Sequence, residues 1–142
     1  MLAIIQARTG SKRFRNKVFT KLYGQPIIHH VIKRLEKSKH ISKVLVATSK
    51  NKDDDKLVNY LKKIRCNIYR GSLKNVAMRL CKAAQKNNKK YFLRISGDSP
   101  LIDPKLIDHA INLFKKKKYC NYDLITNIFP KKFLSGQSIE II

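Results

Sequence analysis

The stretch Leu2-Ala3-Ile4-Ile5-Gln6-Ala7-Arg8-Thr9-Gly10-Ser11-Lys12-Arg13-Phe14-Arg15-Asn16-Lys17 decides how this chain is read. Leu2 to Ile5 form an unbroken apolar run, which reads as a short buried strand. From Gln6 to Lys17 the chain carries five cations, Arg8, Lys12, Arg13, Arg15 and Lys17, and no acid. A buried strand therefore delivers the backbone into a cationic loop. Gly10 admits backbone angles that other residues avoid, which lets amide groups turn towards an anion. Ser11 adds a hydroxyl, Arg8 and Arg13 offer planar forks, and Lys17 offers a mobile point charge. These groups suit a triphosphate. Their spacing is neither a Walker loop nor the dinucleotide G-x-G-x-x-G pattern. From these residues alone, a basic surface loop reads equally well.

Working outward, 142 residues suffice for one domain with a real core. Hydrophobic residues make up 43%, as in soluble globular proteins. No apolar run is long enough to cross a bilayer, and no signal peptide is apparent. Cys66, Cys81 and Cys120 are widely spaced and odd in number. They fit reduced thiols in a cytoplasm better than a disulfide frame or a zinc site. The net charge of +23 suggests a polyanion partner. Yet the excess is mostly lysine, it is spread along the chain, and aromatics do not interleave with it as a single-strand stacking platform needs. Specific nucleic-acid binding is therefore not the expected function.

Strand-like and helix-like segments alternate, which predicts an α/β domain with a mainly parallel sheet. Pro26 suits the start of a helix whose stripe is Ile27, Ile28, Val31, Ile32 and Leu35. His29 and His30 are neighbours on that helix and diverge too far to share a metal. Lys43 to Thr48 reads as the second strand. Asp53, Asp54 and Asp55 read as acids at the start of the next helix rather than as a metal cluster. Cys66 to Tyr69 reads as the third strand. After it, Ser72 is the expected cap of a helix with inner positions Val76, Ala77, Leu80, Ala83 and Ala84, and Arg79 lies off that stripe. Tyr91 to Ile95 reads as the fourth strand, followed by Ser96-Gly97-Asp98-Ser99-Pro100. Asp98 then stands at a strand's carboxyl tip, where open α/β sheets collect ligands. One carboxylate facing a basic loop suits Mg²⁺ on a nucleotide, because that ion takes few protein carboxylates and completes its shell with phosphate and water. Asp103 before Pro104 reads as a helix cap. Tyr122 to Thr126 and Gln137 to Ile142 read as the fifth and sixth strands.

Three blocks together resemble the cytidylyltransferase family that includes the CMP-sugar-acid synthetases, and most closely its spore coat polysaccharide biosynthesis protein F branch. The first block is Ala3 to Arg13 with Lys17, followed by Gly24-Gln25-Pro26 and His30 to Leu35. The second is Arg70-Gly71-Ser72 with Val76 and Arg79. The third is Arg94 to Pro104. The resemblance implies a three-layer, Rossmann-like nucleotide-diphosphosugar-transferase fold. It implies transfer of CMP from CTP to a sugar or sugar acid, with pyrophosphate released. By that resemblance Ala7, Arg8, Gly10, Ser11, Arg13 and Lys17 contact the nucleotide, and Ser72 and Arg79 lie near it. Arg8, Lys17 and Asp98 would be catalytic, with Asp98 holding Mg²⁺. The chain would form a single domain over residues 1–142, the nucleotide-binding part of a longer family domain. The remainder would supply the sugar pocket and homodimer contacts. Asn75, Met78 and Ser138 stand where the family usually has acids. A noncatalytic nucleotide-binding remnant, use of another nucleoside triphosphate, and a basic nucleic-acid-binding module are the competing expectations.

Overall fold

The apolar run at the start forms β1 (Leu2–Gln6), in which Leu2, Ala3, Ile4 and Ile5 are completely buried. A strand that is apolar on both faces needs cover on both. In the computed structural model, which describes residues 1–10, 15–116, 122–130 and 132–142, that cover comes from helices on either side of a mixed sheet. The remaining strands are β2 (Lys21–Leu22), β3 (Gln25–Pro26), β4 (Lys43–Ser49), β5 (Asn67–Gly71), β6 (Phe92–Ser96), β7 (Ile125–Thr126) and β8 (Glu140–Ile141). The helices are α1 (Ile27–Glu36), α2 (Asp55–Lys63), α3 (Val76–Lys86) and α4 (Pro104–Phe114), with short 3-10 turns at Lys17–Phe19 and Lys52–Asp54. Ser11, Arg13 and Cys120 lie outside the described residues.

The sheet order is β5-β4-β1-β6-β8-β7. The first four of these run parallel, β8 runs antiparallel to β6, and β7 antiparallel to β8. Strands β2 and β3 form a separate small hairpin. Alternate residues of β1 face different layers. Ala3 and Ile5 join Ile28, Val31, Leu35, Leu57, Leu61, Ile107 and Ile111, so α1, α2 and α4 cover one face. Leu2 and Ile4 join Leu80, Ala83 and Ala84, so α3 covers the other. This is the three-layer α/β arrangement expected from the sequence.

Helix starts follow local chemistry. Asp103 accepts a hydrogen bond from the Lys105 amide at 2.9 Å, with Pro104 opening α4. The cap of α3 differs from expectation. Asn75, not Ser72, accepts from the first turn, at 2.8 Å from Met78 N, and Ser72 instead holds the Asn75 amide at 3.0 Å. The stripe of α3 differs too: Ala77 is exposed and Arg79 is buried. The third strand begins one residue later and ends two later than expected, because its pairing with β4 continues to Ser49↔Gly71. The last two strands are shorter than expected. There side chains replace the ladder: Asn127 binds the Gln137 carbonyl and the Ile139 amide, each at 2.8 Å, and the Thr126 hydroxyl donates to the Ile139 carbonyl at 3.0 Å. Cys66 and Cys81 are free thiols, and burial raises the Cys66 thiol to about 11. Among the described residues no helix is long and apolar enough to cross a membrane.

Gly97 sets how closely β6 leaves past β1. A Cβ on it would stand 2.8 Å from Ala7 Cβ and 3.0 Å from the Gln6 carbonyl oxygen. Backbone cannot yield as a side-chain tip would, so Gly97→Ala should destabilise the fold by about 1–3 kcal/mol, as overpacking does. A fall of several degrees in the thermal midpoint is the expected reading; an unchanged midpoint would refute this close-packing account.

Candidate functional site

The chain runs from β1 outward to β4 and β5, then returns to the other side of β1 as β6. Strand order therefore reverses between β1 and β6, and the crevice beyond their carboxyl ends is where such sheets bind ligands. The register places Gln6 level with both Ala47 and Ser96, so the two tips end together. The Gly97 amide closes the junction by donating to the Gln6 carbonyl at 2.9 Å. A cavity of about 210 Å³ opens there, lined by Gln6, Ala7, Arg8, Lys17, Val18, Ser96, Gly97 and Asp98.

Inside it, Lys17 Nζ lies 2.8 Å from Asp98 Oδ2, and the Ser96 hydroxyl donates to Asp98 Oδ1 at 2.5 Å. Burial pushes the Asp98 carboxyl towards its neutral form, but these two donors outweigh it and hold the group below its ordinary value. Asp98 is thus an ionised carboxylate flanked by a hydroxyl, an all-oxygen set suited to a hard cation. Among the described residues no three or more His, Cys, Asp or Glu side chains group together to hold a metal ion. Gln6 is steadied from behind by Arg94, whose Nε donates to Gln6 Oε1 at 3.0 Å while its Nη1 pairs with Glu140 on β8.

The root of the cationic loop is fixed by a residue from a different part of the chain. Asp54 is 1% exposed. Its Oδ1 accepts from the Thr9 amide at 2.7 Å and the Thr9 hydroxyl at 2.8 Å. Its Oδ2 accepts from the Ser49 amide at 3.1 Å and from the Ser49 hydroxyl. The Thr9 carbonyl accepts from the Asn16 amide at 2.9 Å, which draws the two ends of the loop together. Arg8 thus projects from one end of a pinned loop and Lys17 from the other. Gly10 does not adopt a left-handed backbone, and a Cβ there would meet only Asp53 Oδ2, at 3.9 Å. Gly10 therefore uses no left-handed backbone, and the bonded anchor at this end of the cationic stretch is Thr9.

Ser72 and Arg79 line a second cavity of about 290 Å³ with Lys50, Tyr69, Gly71, Met78 and Lys82. Arg79 is only 1% exposed, so it does not reach into solvent. Its Nη1 donates to the Ser72 carbonyl at 2.6 Å, and its Nε and Nη2 meet no acceptor among the described residues. Gly71 makes room for it, since a Cβ there would stand 2.8 Å from Arg79 Cγ. Burial depresses the Arg79 guanidinium, Asp54 opposes that, and Arg8 adds to it. The predicted residues Ala7, Arg8, Lys17 and Asp98 share one cavity; Ser72 and Arg79 line the other; Ser11 and Arg13 fall outside the described residues.

Comparison with known proteins matches residues 2–134 to the sequence profile of the cytidylyltransferases. The chain belongs to the cytidylyltransferase family. It is 36% identical over 141 residues to an uncharacterized protein of Methanocaldococcus jannaschii, covering 99% of this chain and 56% of that one. It is 35% identical to the 3-deoxy-manno-octulosonate cytidylyltransferase of Geotalea daltonii, covering 78% and 43% of the two chains. The spore coat polysaccharide biosynthesis protein SpsF of Bacillus subtilis is 32% identical, with 78% and 48% covered. Among solved structures, a cytidylyltransferase from Leptospira borgpetersenii superposes with a TM-score of 0.89 at 33% identity, covering 99% of this chain and 59% of that one. The chain therefore spans about half the length of the relatives it matches.

Within this cytidylyltransferase fold, sequence reading missed Asp54. The run Asp53 to Asp55 reads as helix-start acids, and that reading holds only in part. Asp55 does open α2, and it also pairs with Arg70 Nη1 at 2.6 Å. Asn51, however, caps the preceding turn through the Asp53 amide at 3.0 Å, and this frees Asp54 to point inward. Nothing in the local pattern separates the middle acid from its neighbours.

Burial works against ionisation of Asp54, yet its bonds from Ser49 and Thr9 bring it below the ordinary aspartate value. A carboxylate whose folded value is depressed contributes its stability above the unfolded value, about pH 4, and loses it as pH falls through the folded value. Asp54→Asn should therefore cost about 1–3 kcal/mol at pH 7, with the gap to the unsubstituted chain narrowing below pH 4. Urea unfolding at pH 7 and pH 3 measures both. A constant gap across that range would contradict a charged Asp54.

Proposed function

We propose that this chain forms the CTP-binding part of an enzyme that transfers CMP from CTP to a hydroxyl of a sugar or sugar acid, in cytoplasmic polysaccharide biosynthesis, and that releases pyrophosphate. The observation that carries the reading is the meeting of Arg8, Lys17 and Asp98 in one cavity at the strand-order reversal. Family membership supplies the reaction class. The free thiols of Cys66 and Cys81 suit a reducing compartment.

In the proposed reaction the acceptor hydroxyl oxygen attacks the α-phosphorus and gives up its proton to solvent. The bond to the β-phosphate oxygen breaks, and its electron pair leaves on pyrophosphate. Fixed cations beside that leaving group lower the barrier because they face charge that grows in the transition state. Arg8 is exposed, lines the cavity and follows onto the buried Thr9, so its backbone is anchored beside the site before substrate arrives. Lys17 reaches the same space from the other end of the loop. Ser11 and Arg13 would add further phosphate contacts, and Ala7 and Gly10 would bring their backbone beside the nucleotide. Ser72 and Arg79 would complete the nucleotide's surroundings, with the free N–H groups of Arg79 as donors. The Asp98 carboxylate and Ser96 hydroxyl would hold Mg²⁺, which when bound supplies charge neutralisation on the α-phosphate.

A nucleotide-binding chain without turnover is the second reading, and two exposed side chains favour it. Asn75 is engaged in capping α3, and Ser138 presents a neutral group where relatives' acids are expected. One set of measurements separates the readings. Mg-CTP should raise the thermal midpoint, and pyrophosphate should appear when sugar acids are added. Arg8→Ala or Asp98→Ala should lower that rate on the order of 10²–10³-fold. A thermal shift without pyrophosphate would support the second reading; neither effect would remove both.

A further inference from the structure

Asp98 already has a cation. Lys17 Nζ sits 2.8 Å from Oδ2, while Oδ1 accepts from Ser96 at 2.5 Å. Among the described residues no other acid lines this cavity, whereas Arg8 and Lys17 both do. The pair joins residues 81 positions apart, so it arises from the fold and not from local helix geometry. The two side chains are 48% and 37% exposed, a degree at which ion pairs are weak and easily exchanged.

The backbone around Lys17 is anchored, and its side chain is about half exposed. The Asn16 amide is held by the Thr9 carbonyl at 2.9 Å, and the following Val18 is 4% exposed and packed in the core. Only the four-carbon stem has to swing for Nζ to leave Asp98. It gains nothing by leaving unless another anion enters the cavity. A free divalent cation approaching Asp98 brings no such anion and meets the ammonium head-on. A cation carried on a triphosphate brings several negative oxygens to which Lys17 can turn.

We propose that Lys17 is the resident cation of the Asp98 seat and makes that seat selective for a metal–nucleotide complex over the bare metal. This rests on reading the cavity as a metal–nucleotide site, but not on which base the nucleotide carries. Lys17 thus has two successive partners: the carboxylate in the empty chain and phosphate oxygens in the loaded one. The bland alternative is a surface ion pair with no bearing on cation binding.

The test uses Mn²⁺ alone, followed by the loss of its free-ion paramagnetic resonance signal, without nucleotide. Lys17→Met should bind Mn²⁺ about three- to tenfold more tightly than the unsubstituted chain, the range set by one nearby unit charge at a partly solvated position. Lys17→Arg keeps the charge and should bind no better than the unsubstituted chain. Asp98→Asn, alone or with Lys17→Met, should abolish the site. Equal or weaker Mn²⁺ binding by Lys17→Met overturns the proposal, as does Mn²⁺ binding that survives Asp98→Asn. The readout needs neither CTP nor turnover. Tightened Mn²⁺ binding with no CTP-induced thermal shift would therefore sink the CTP reading alone, and a CTP shift without tightened Mn²⁺ binding would sink this proposal alone.

Discussion

Everything near the cavity depends on the way β1 is clamped between β4 and β6. Its backbone is hydrogen-bonded on both edges, and its side chains are buried on both faces. A slip of one residue would send Ala3 and Ile5 to the α3 layer and Leu2 and Ile4 to the opposite one. Because small and large residues alternate at some of these positions, the layers would no longer fit. The register is therefore held by core packing, and it sets the level at which the tips of β1 and β6 end. The site is a by-product of that alignment. Gln6 and Ser96 are paired in the ladder, and the residues immediately after them line the cavity.

Two aspartates ionise readily here for different reasons and serve different ends. Asp54 is sealed from solvent and spends both oxygens on Thr9 and Ser49, tying the tip of β1 to the tip of β4. Asp98 is partly open, and its donors are a hydroxyl and a half-exposed lysine. A buried carboxylate satisfied by rigid backbone and short hydroxyls makes a strut. A half-exposed carboxylate satisfied by a long side chain can trade partners. Arg79 is a second buried charged group, and the Asp54 carboxylate favours its charged form.

Much of this was legible in the chain itself. The apolar run at Leu2 to Ile5, the stripe of α1, and Asp103-Pro104 at the start of α4 report local periodicity and capping, which depend on near neighbours. Asp98 was legible because Gly97 marks an abrupt strand exit. The shifted features share a different cause. Arg79 goes inward because Gly71 leaves space beneath it. β7 and β8 shorten because Asn127 and Thr126 take over their backbone partners. Each depends on a contact with a residue that periodicity does not identify.

The amino-acid order determined the alternation of strand and helix, the two-faced burial of the first strand, and the placing of cations and one carboxylate after strand ends. These are consequences of side-chain polarity and spacing along a single segment. The tertiary structure alone decided that Lys17 rests on Asp98, that Asp54 and not its neighbours turns inward, and that Thr9 is the residue it holds. Those choices are made between segments tens of residues apart. They depend on which strand tips the parallel register brings level, and no window along the chain contains that information.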